Sequence, residues 1–133
     1  MIVNVAPAVV SAMLAAVLAK IDADSVNPAT LTLYPAPMPS PGSVLGIGAA
    51  LCVLYLAEPA GTVAANVLTI TTPISAQRSA SGAATWARLS DGAGNWVMDL
   101  DVTLTGGGGA VQLDQVEGYT GGFVTLTAAA LTL

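Results

Sequence analysis

The feature that most constrains the fold is a hairpin pattern in the middle of the chain. A β-prone run at residues 84–89 is followed by a glycine-rich turn sequence at 91–95 and then by strict alternation from 96 to 103. The first face of that alternation holds Trp96, Met98, Leu100 and Val102, and the second holds Val97, Asp99, Asp101 and Thr103. Because successive side chains of a strand point to opposite faces, the pattern predicts an antiparallel hairpin with one core face. Trp86 and Trp96 are predicted to face each other across it.

Other short segments have the same character and are separated by glycine or proline. Strands are predicted at residues 30–34, 50–56, 67–71, 111–113 and 123–133, and the continuously apolar run 50–56 is expected to be central in a sheet. The proline-rich residues 35–41 and the glycines after them predict a surface loop, whereas residues 75–81 favour a loop or edge segment. Seven or eight short strands with regular turns predict an all-β fold: an antiparallel β-sandwich or jelly roll over residues 30–133 with one N-terminal α-helix.

The N-terminal region predicts that helix, within a single domain that covers residues 1–133. Pro7 suits a first helical turn, and one apolar stripe follows at helical spacing, so a helix is predicted over 7–24 with residues 1–6 as an arm. The stripe consists of Val10, Leu14, Val17, Leu18 and Ile21. The opposite side is mostly alanine, which indicates a helix covered on more than one side. A secreted or membrane-inserted chain is the weaker alternative, because no basic residue precedes the apolar run and the run is short.

The charge content limits the classes of function. Charged residues make up 8% of the chain, against about a quarter in ordinary domains, and the formal net charge is -5. The only basic residues, Lys20, Arg78 and Arg88, are scattered, so no nucleic-acid partner is expected. The single Cys52 lies in an apolar run and is predicted to be a small buried side chain.

The motifs that resemble catalytic or ligand-binding sequences are better explained as turns and strand faces. Residues 106–109 are four glycines without the lysine of a phosphate loop, so they predict a hairpin turn. The loop that begins at Asp91 fails the calcium pattern, which needs a glutamate where Val102 stands. Asp99 and Asp101 are predicted to lie roughly 6–7 Å apart on one strand face, where a glycan hydrolase would use them as its carboxylate pair, although a solvated strand face explains them better. With no histidine present, we expect no enzyme, no catalytic or cofactor-binding residue, no cofactor and no metal site.

The scarcity of charge instead favours a subunit of a stable assembly. Surfaces that stay soluble alone are about a quarter to a third charged, and eleven charged residues do not supply that here. Obligate interfaces bury more than about 2,000 Å² and are more apolar than ordinary surface. A homo-oligomer, dimer or trimer, is therefore expected.

The order of motifs resembles a group of small structural proteins of tailed bacteriophages and prophages. The most specific piece is Ala84-Thr85-Trp86-Ala87-Arg88 before the Asp91-Gly92 turn, and the likeness covers about residues 8–133. It also includes the alanine-rich helix that ends in Ile21-Asp22-Ala23, then Leu31-Thr32-Leu33-Tyr34, the segments 54–61 and 67–70, and a Val-Thr-Leu-Thr finish. The helix here is more apolar than is usual for the group.

The resemblance implies a virion component of β-sandwich type. Within the group we favour a capsid cement, or decoration, protein that binds and bridges major capsid protein subunits on the outer shell. Such a protein would be made in the host cytoplasm, would also contact neighbouring copies of itself, and would bind neither nucleic acid nor a membrane. The alternative is a tail or adhesin module that binds a host surface with its proline loop and glycine turns.

Overall fold

A computed structural model describes residues 3–24, 26–35 and 50–132 of the chain, and within them it contains one helix and eleven strands. The helix, α1, is Pro7–Ile21. The strands are β1 Thr30–Tyr34, β2 Cys52–Tyr55, β3 Gly61–Ala64, β4 Val67–Ile70, β5 Ile74–Gln77, β6 Gly82–Ala83, β7 Trp86–Ser90, β8 Trp96–Leu104, β9 Val111–Leu113, β10 Glu117–Gly118 and β11 Phe123–Leu131. The predicted all-β class with one N-terminal helix is confirmed.

Nine of these strands form one large curled mixed sheet. Its order is β2-β1-β7-β8-β9-β11-β4-β3, β5 pairs with β11, and β6 and β10 form a separate two-stranded sheet. The curl brings β2 against β5, where the Cys52 thiol lies 3.6 Å from the carbonyl oxygen of Gln77. The two halves of the curled sheet therefore pack face to face as a sandwich.

The core lies between these halves, and α1 extends it at one end. Alternate side chains of β1 and β9 are buried there, as the period of two requires, and so are Ala87 and Leu89 of β7. In β11 the alternation shifts by one residue after Leu126, where the pairing is irregular. The largest fully buried side chains of this core are Leu14, Ile21, Leu33, Leu51, Leu54, Leu68, Leu89, Leu113, Leu126, Val111 and Val124. Cys52 is buried among them, as predicted, and burial raises the pKa of its thiol.

The β7–β8 hairpin is confirmed, but its two tryptophans do not face each other. Trp86 pairs with Asp101, and Trp96 pairs with Ser90, because the register shifts at a bulge. The bulge inserts Val97 as one extra residue in β8, so Trp96 lies on the opposite face from Met98. The prediction that Trp96 shares the core face with Met98, Leu100 and Val102 was therefore wrong.

One strand pair departs from the antiparallel pattern, because β8 and β9 run parallel with Val102 opposite Val111. Parallel neighbours normally need a crossover of a dozen residues or more. Here the glycines at 106–109 link the two strands within a much shorter loop, and the prediction of a hairpin turn there was wrong, because the strands that they join run parallel. A Cβ atom at Gly107 or Gly109 would lie 2.8 Å from the side chain of Thr103, so only glycine fits this close approach.

The remaining differences concern edges and ends. Among the described strands β2 lies at the edge of the sheet rather than at its centre, although its inner side chains are buried. Strand β3 was not predicted; it pairs with β4 through a tight turn at Ala65 and Asn66, both of which have positive φ. The helix ends at Ile21 instead of residue 24, and the predicted proline-rich loop falls mainly in 36–49, outside the described residues.

Candidate functional site

Asp99 and Asp101, the candidate carboxylate pair, make hydrogen bonds that stabilise the sheet. Asp99 accepts hydrogen bonds from Nε and Nη2 of Arg88 at 2.8 and 3.0 Å, and Asp101 accepts one from the backbone N–H of Ala110 at 2.9 Å. Both oxygens of Asp99 are thus occupied by one bidentate guanidinium. The geometry supports a structural use of the pair and provides no free carboxylate at Asp99.

Arg88 is the centre of an aromatic cluster on the outer face of the sheet. Its guanidinium carbon lies 5.4 Å from the ring centre of Trp86 and 5.0 Å from that of Trp96. Tyr34 stacks on the other side of Trp86, with ring centres 4.6 Å apart. The hydrogen bonds to Asp99 raise the pKa of Arg88. Trp86 is only 1% exposed and cannot stack on a ligand, whereas Trp96 is 47% exposed.

The turn after β7 ties the sheet to the end of α1. Asp91 accepts hydrogen bonds from the backbone N–H groups of Ala93 and Asn95 and forms an ion pair with Lys20 at 3.0 Å. The bond from Asn95, followed by the contact with Lys20, lowers the pKa of Asp91 to about 2. The turn interpretation of this loop is therefore supported. The described residues contain no group of His, Cys, Asp or Glu side chains that is arranged to hold a metal ion.

The outward side of α1 is a continuous apolar surface. Only Val10, Leu14 and Ile21 of the helix are buried, and the helix packs mainly on β3 and β4. Beside the buried stripe the helix exposes Val9 and Met13, and the residues before the helix expose Val3 and Val5, each between 44% and 67%. We call these four residues, with the exposed alanines of α1, the helix face. It is not covered by any other described part of the chain, although the sequence predicts cover on more than one side.

A second surface feature is a cavity of about 610 Å³ beside the small β6–β10 sheet. Arg78 lines it and is only 2% exposed. Its Nη1 donates to the carbonyl of Gly82 at 3.2 Å, and its Nη2 donates to those of Gln115 and Val116 at 3.3 and 3.0 Å. Among the described residues no carboxylate pairs with Arg78, and its Nε has no acceptor.

Two aromatic side chains line this cavity with most of their surface exposed. Tyr119 is 83% exposed and Phe123 is 68% exposed, and both line the cavity with Glu117 and Gln115. The sequence of residues 118–122 predicts only a glycine-rich turn. The missed signal is an aromatic residue inside a glycine-rich turn, where no strand partner is available to bury it.

Comparisons with known proteins identify no relative. A scan against family models, a search of curated proteins and a search of solved structures each gave no match. Within the described residues, no helix is long and apolar enough to cross a membrane. The assignment of function therefore depends on the surfaces described above and on the resemblance carried by the sequence.

Proposed function

We propose that this chain is a virion structural protein, a capsid cement protein that docks on major capsid protein subunits at the outer shell. The observation that carries the proposal is the helix face, an exposed apolar surface on α1 and the residues before it that the rest of the described chain leaves uncovered. Solvent-exposed apolar surfaces of this kind mark sites of protein association. The phage resemblance of residues 8–133 supplies the class of partner.

The scarcity of exposed basic side chains supports docking through shape and apolar contact. Of the three basic side chains, Arg78 is buried and Arg88 is tied to Asp99, so Lys20 alone retains substantial exposure among the described cations. The remaining surface charge is mostly acidic. Such a surface does not attract nucleic acid, and it leaves neighbouring copies or capsid subunits as the partners.

The energy available from the helix face is adequate for one contact within a lattice. Complete burial of a Val or Met side chain contributes about 1.5–3 kcal/mol, and these side chains are roughly half exposed. Val9 and Met13 together therefore contribute about 1.5–3 kcal/mol when a partner covers them. Stable attachment needs further contacts, which neighbouring copies in a dimer or trimer would supply.

The experiment is the copy number of this chain in purified virions, measured by quantitative mass spectrometry against the major capsid protein. A ratio near one, or a simple fraction set by the capsid lattice, is the expected result. Complete absence from the particles would contradict the proposal and reopen the enzyme and membrane interpretations.

The second candidate is a tail or adhesin module that contacts a host surface. The exposed Tyr119 and Phe123 at the Arg78 cavity favour it, because exposed aromatic side chains beside a polar cavity are typical of ligand sites. The same mass spectrometry separates the two candidates, since a tail protein would be present in only a handful of copies.

A further inference from the structure

We propose that the cavity beside Arg78 binds a neutral sugar residue of an oligosaccharide. This inference does not depend on the capsid proposal, because it concerns a different surface. The volume of about 610 Å³ lies within the roughly 300–1,000 Å³ of small-molecule sites. Sites of this kind combine apolar contact area with a few polar groups that fix orientation, and this cavity contains both.

The apolar contact comes from the two exposed rings. Tyr119 and Phe123 come from the turn before β11 and from its first residue, and both line the same cavity. Single exposed aromatic side chains are common, but two at one cavity form a surface on which a flat ligand can lie. The C–H faces of a pyranose ring are flat and apolar, and they match such rings.

The polar groups favour hydroxyls over a charged ligand. The side chains of Glu117 and Gln115 line the cavity and make no hydrogen bond within the described part of the chain, so a carboxylate and an amide are free. Sugar hydroxyls both donate and accept, which suits this combination. Arg78 and Glu117 contribute one charge of each sign, so the lining carries no net charge.

An acidic ligand is disfavoured by the way in which Arg78 is held. Both terminal nitrogens of its guanidinium donate to backbone carbonyls of Gly82, Gln115 and Val116. Both edges through which a guanidinium makes a bidentate contact with a carboxylate or phosphate include Nη2. Because Nη2 already donates to Gln115 and Val116, that contact is not available, and the remaining Nε is buried. Glu117 would in addition repel an anion. Arg78 acts as a positioning residue that joins the β6 wall of the cavity to the β10 wall.

Hydrogen bonds hold the turn at residues 119–122, which carries Tyr119, in one conformation. A turn that is already ordered loses less entropy when a ligand binds. The backbone N–H of Arg78 donates to Gly122 at 2.7 Å, and that of Gly121 donates back to Arg78 at 2.9 Å. The N–H of Thr120 donates to Oγ of Ser81 at 2.9 Å, and the side chain of Gln77 donates to Gly121 at 2.9 Å. A site that is ordered before binding keeps more of the interaction energy as affinity.

The test is an array of neutral and acidic oligosaccharides probed with the full chain, followed by titration calorimetry with the strongest neutral ligand. The wild-type chain is expected to bind neutral glycans. Tyr119→Ala and Glu117→Gln are each expected to weaken that binding roughly tenfold or more, because each removes about 1.4 kcal/mol of contact. Both side chains are exposed, so both variants should unfold at the wild-type temperature.

Tyr55→Ala is the matched control, since Tyr55 is an exposed aromatic residue of β2 outside the cavity. It is expected to bind as the wild type does. The proposal is overturned if no neutral glycan binds above the level of the Tyr119→Ala/Phe123→Ala variant, or if Tyr119→Ala and Tyr55→Ala bind equally. Preferential binding of acidic glycans, strengthened by Glu117→Gln, would likewise overturn it.

Discussion

Replacing Arg88 by methionine tests whether the outer-face cluster stabilises the fold. Arg88 and Asp99 are 14% and 9% exposed and share two hydrogen bonds. Removing one partner of a buried pair costs about 3–5 kcal/mol, because the other charge is left unpaired. Each cation–π contact with Trp86 and Trp96 adds about 0.5–1 kcal/mol, part of which the methionine sulfur replaces. We expect Arg88→Met to lower the free energy of unfolding by about 3 kcal/mol or more.

The assay is urea unfolding followed by far-ultraviolet circular dichroism, because the tryptophans beside Arg88 make fluorescence depend on the variant. The Arg88→Met/Asp99→Asn double variant should lose less than the sum of the single variants, since it leaves no stranded charge. Lys20→Met is the matched control; its ion pair with Asp91 is more than half exposed on the lysine side, and only a small loss is expected. A loss below about 1 kcal/mol for Arg88→Met would refute the reasoning, because a loss that small is typical of a solvent-exposed ion pair.

Two further predictions concern the helix face and the turn at Asp91. The double variant Val9→Asp/Met13→Asp should leave the unfolding temperature nearly unchanged but weaken attachment to capsids at least tenfold in a sedimentation assay. Unchanged attachment would show that the helix face does not take part in docking. The pKa of Asp91 is lowered from 3.8 to about 2, so its contribution to stability is present above about pH 4 and is lost as the pH falls toward 2. Asp91→Asn should therefore flatten the fall in unfolding free energy across that window, and an unaltered pH profile would contradict the assignment.

Features of the fold that depend on interactions between residues close in sequence could be predicted, whereas features that depend on long-range pairing could not. The β7–β8 hairpin and the start of α1 at Pro7 depend on alternation, turn residues and proline geometry, which are local and readable. The bulge at Val97 is a one-residue shift within the hairpin that alternation alone does not reveal, and the edge position of β2 depends on how the whole sheet is ordered. Strand β3 is short and begins at a glycine, so its pattern is too weak to separate it from the preceding turn.

The cavity was not predictable for a related reason. Arg78 lies in a polar stretch and gives no sequence signal of burial, yet the carbonyls of residues far along the chain enclose its guanidinium. Gly118 permits this, because a Cβ atom there would lie 2.5 Å from Nε of Arg78. For the helix face the error has the opposite sign, because the sequence predicted burial where the described structure shows exposure. Its alanines were interpreted as a covered side, and the structure shows that no described part of the chain covers them.

The two proposed surfaces lie at opposite ends of β11, and that separation allows both to be used at once. The helix packs on β4, which pairs with β11 at Ala130 and Leu131, whereas the cavity lies at the other end of the strand, at Phe123. Eight residues of extended chain span up to about 26 Å. A copy attached to a capsid through the helix face would therefore leave the cavity accessible. Glycan binding by particles should then be lost with Tyr119→Ala while the copy number stays unchanged.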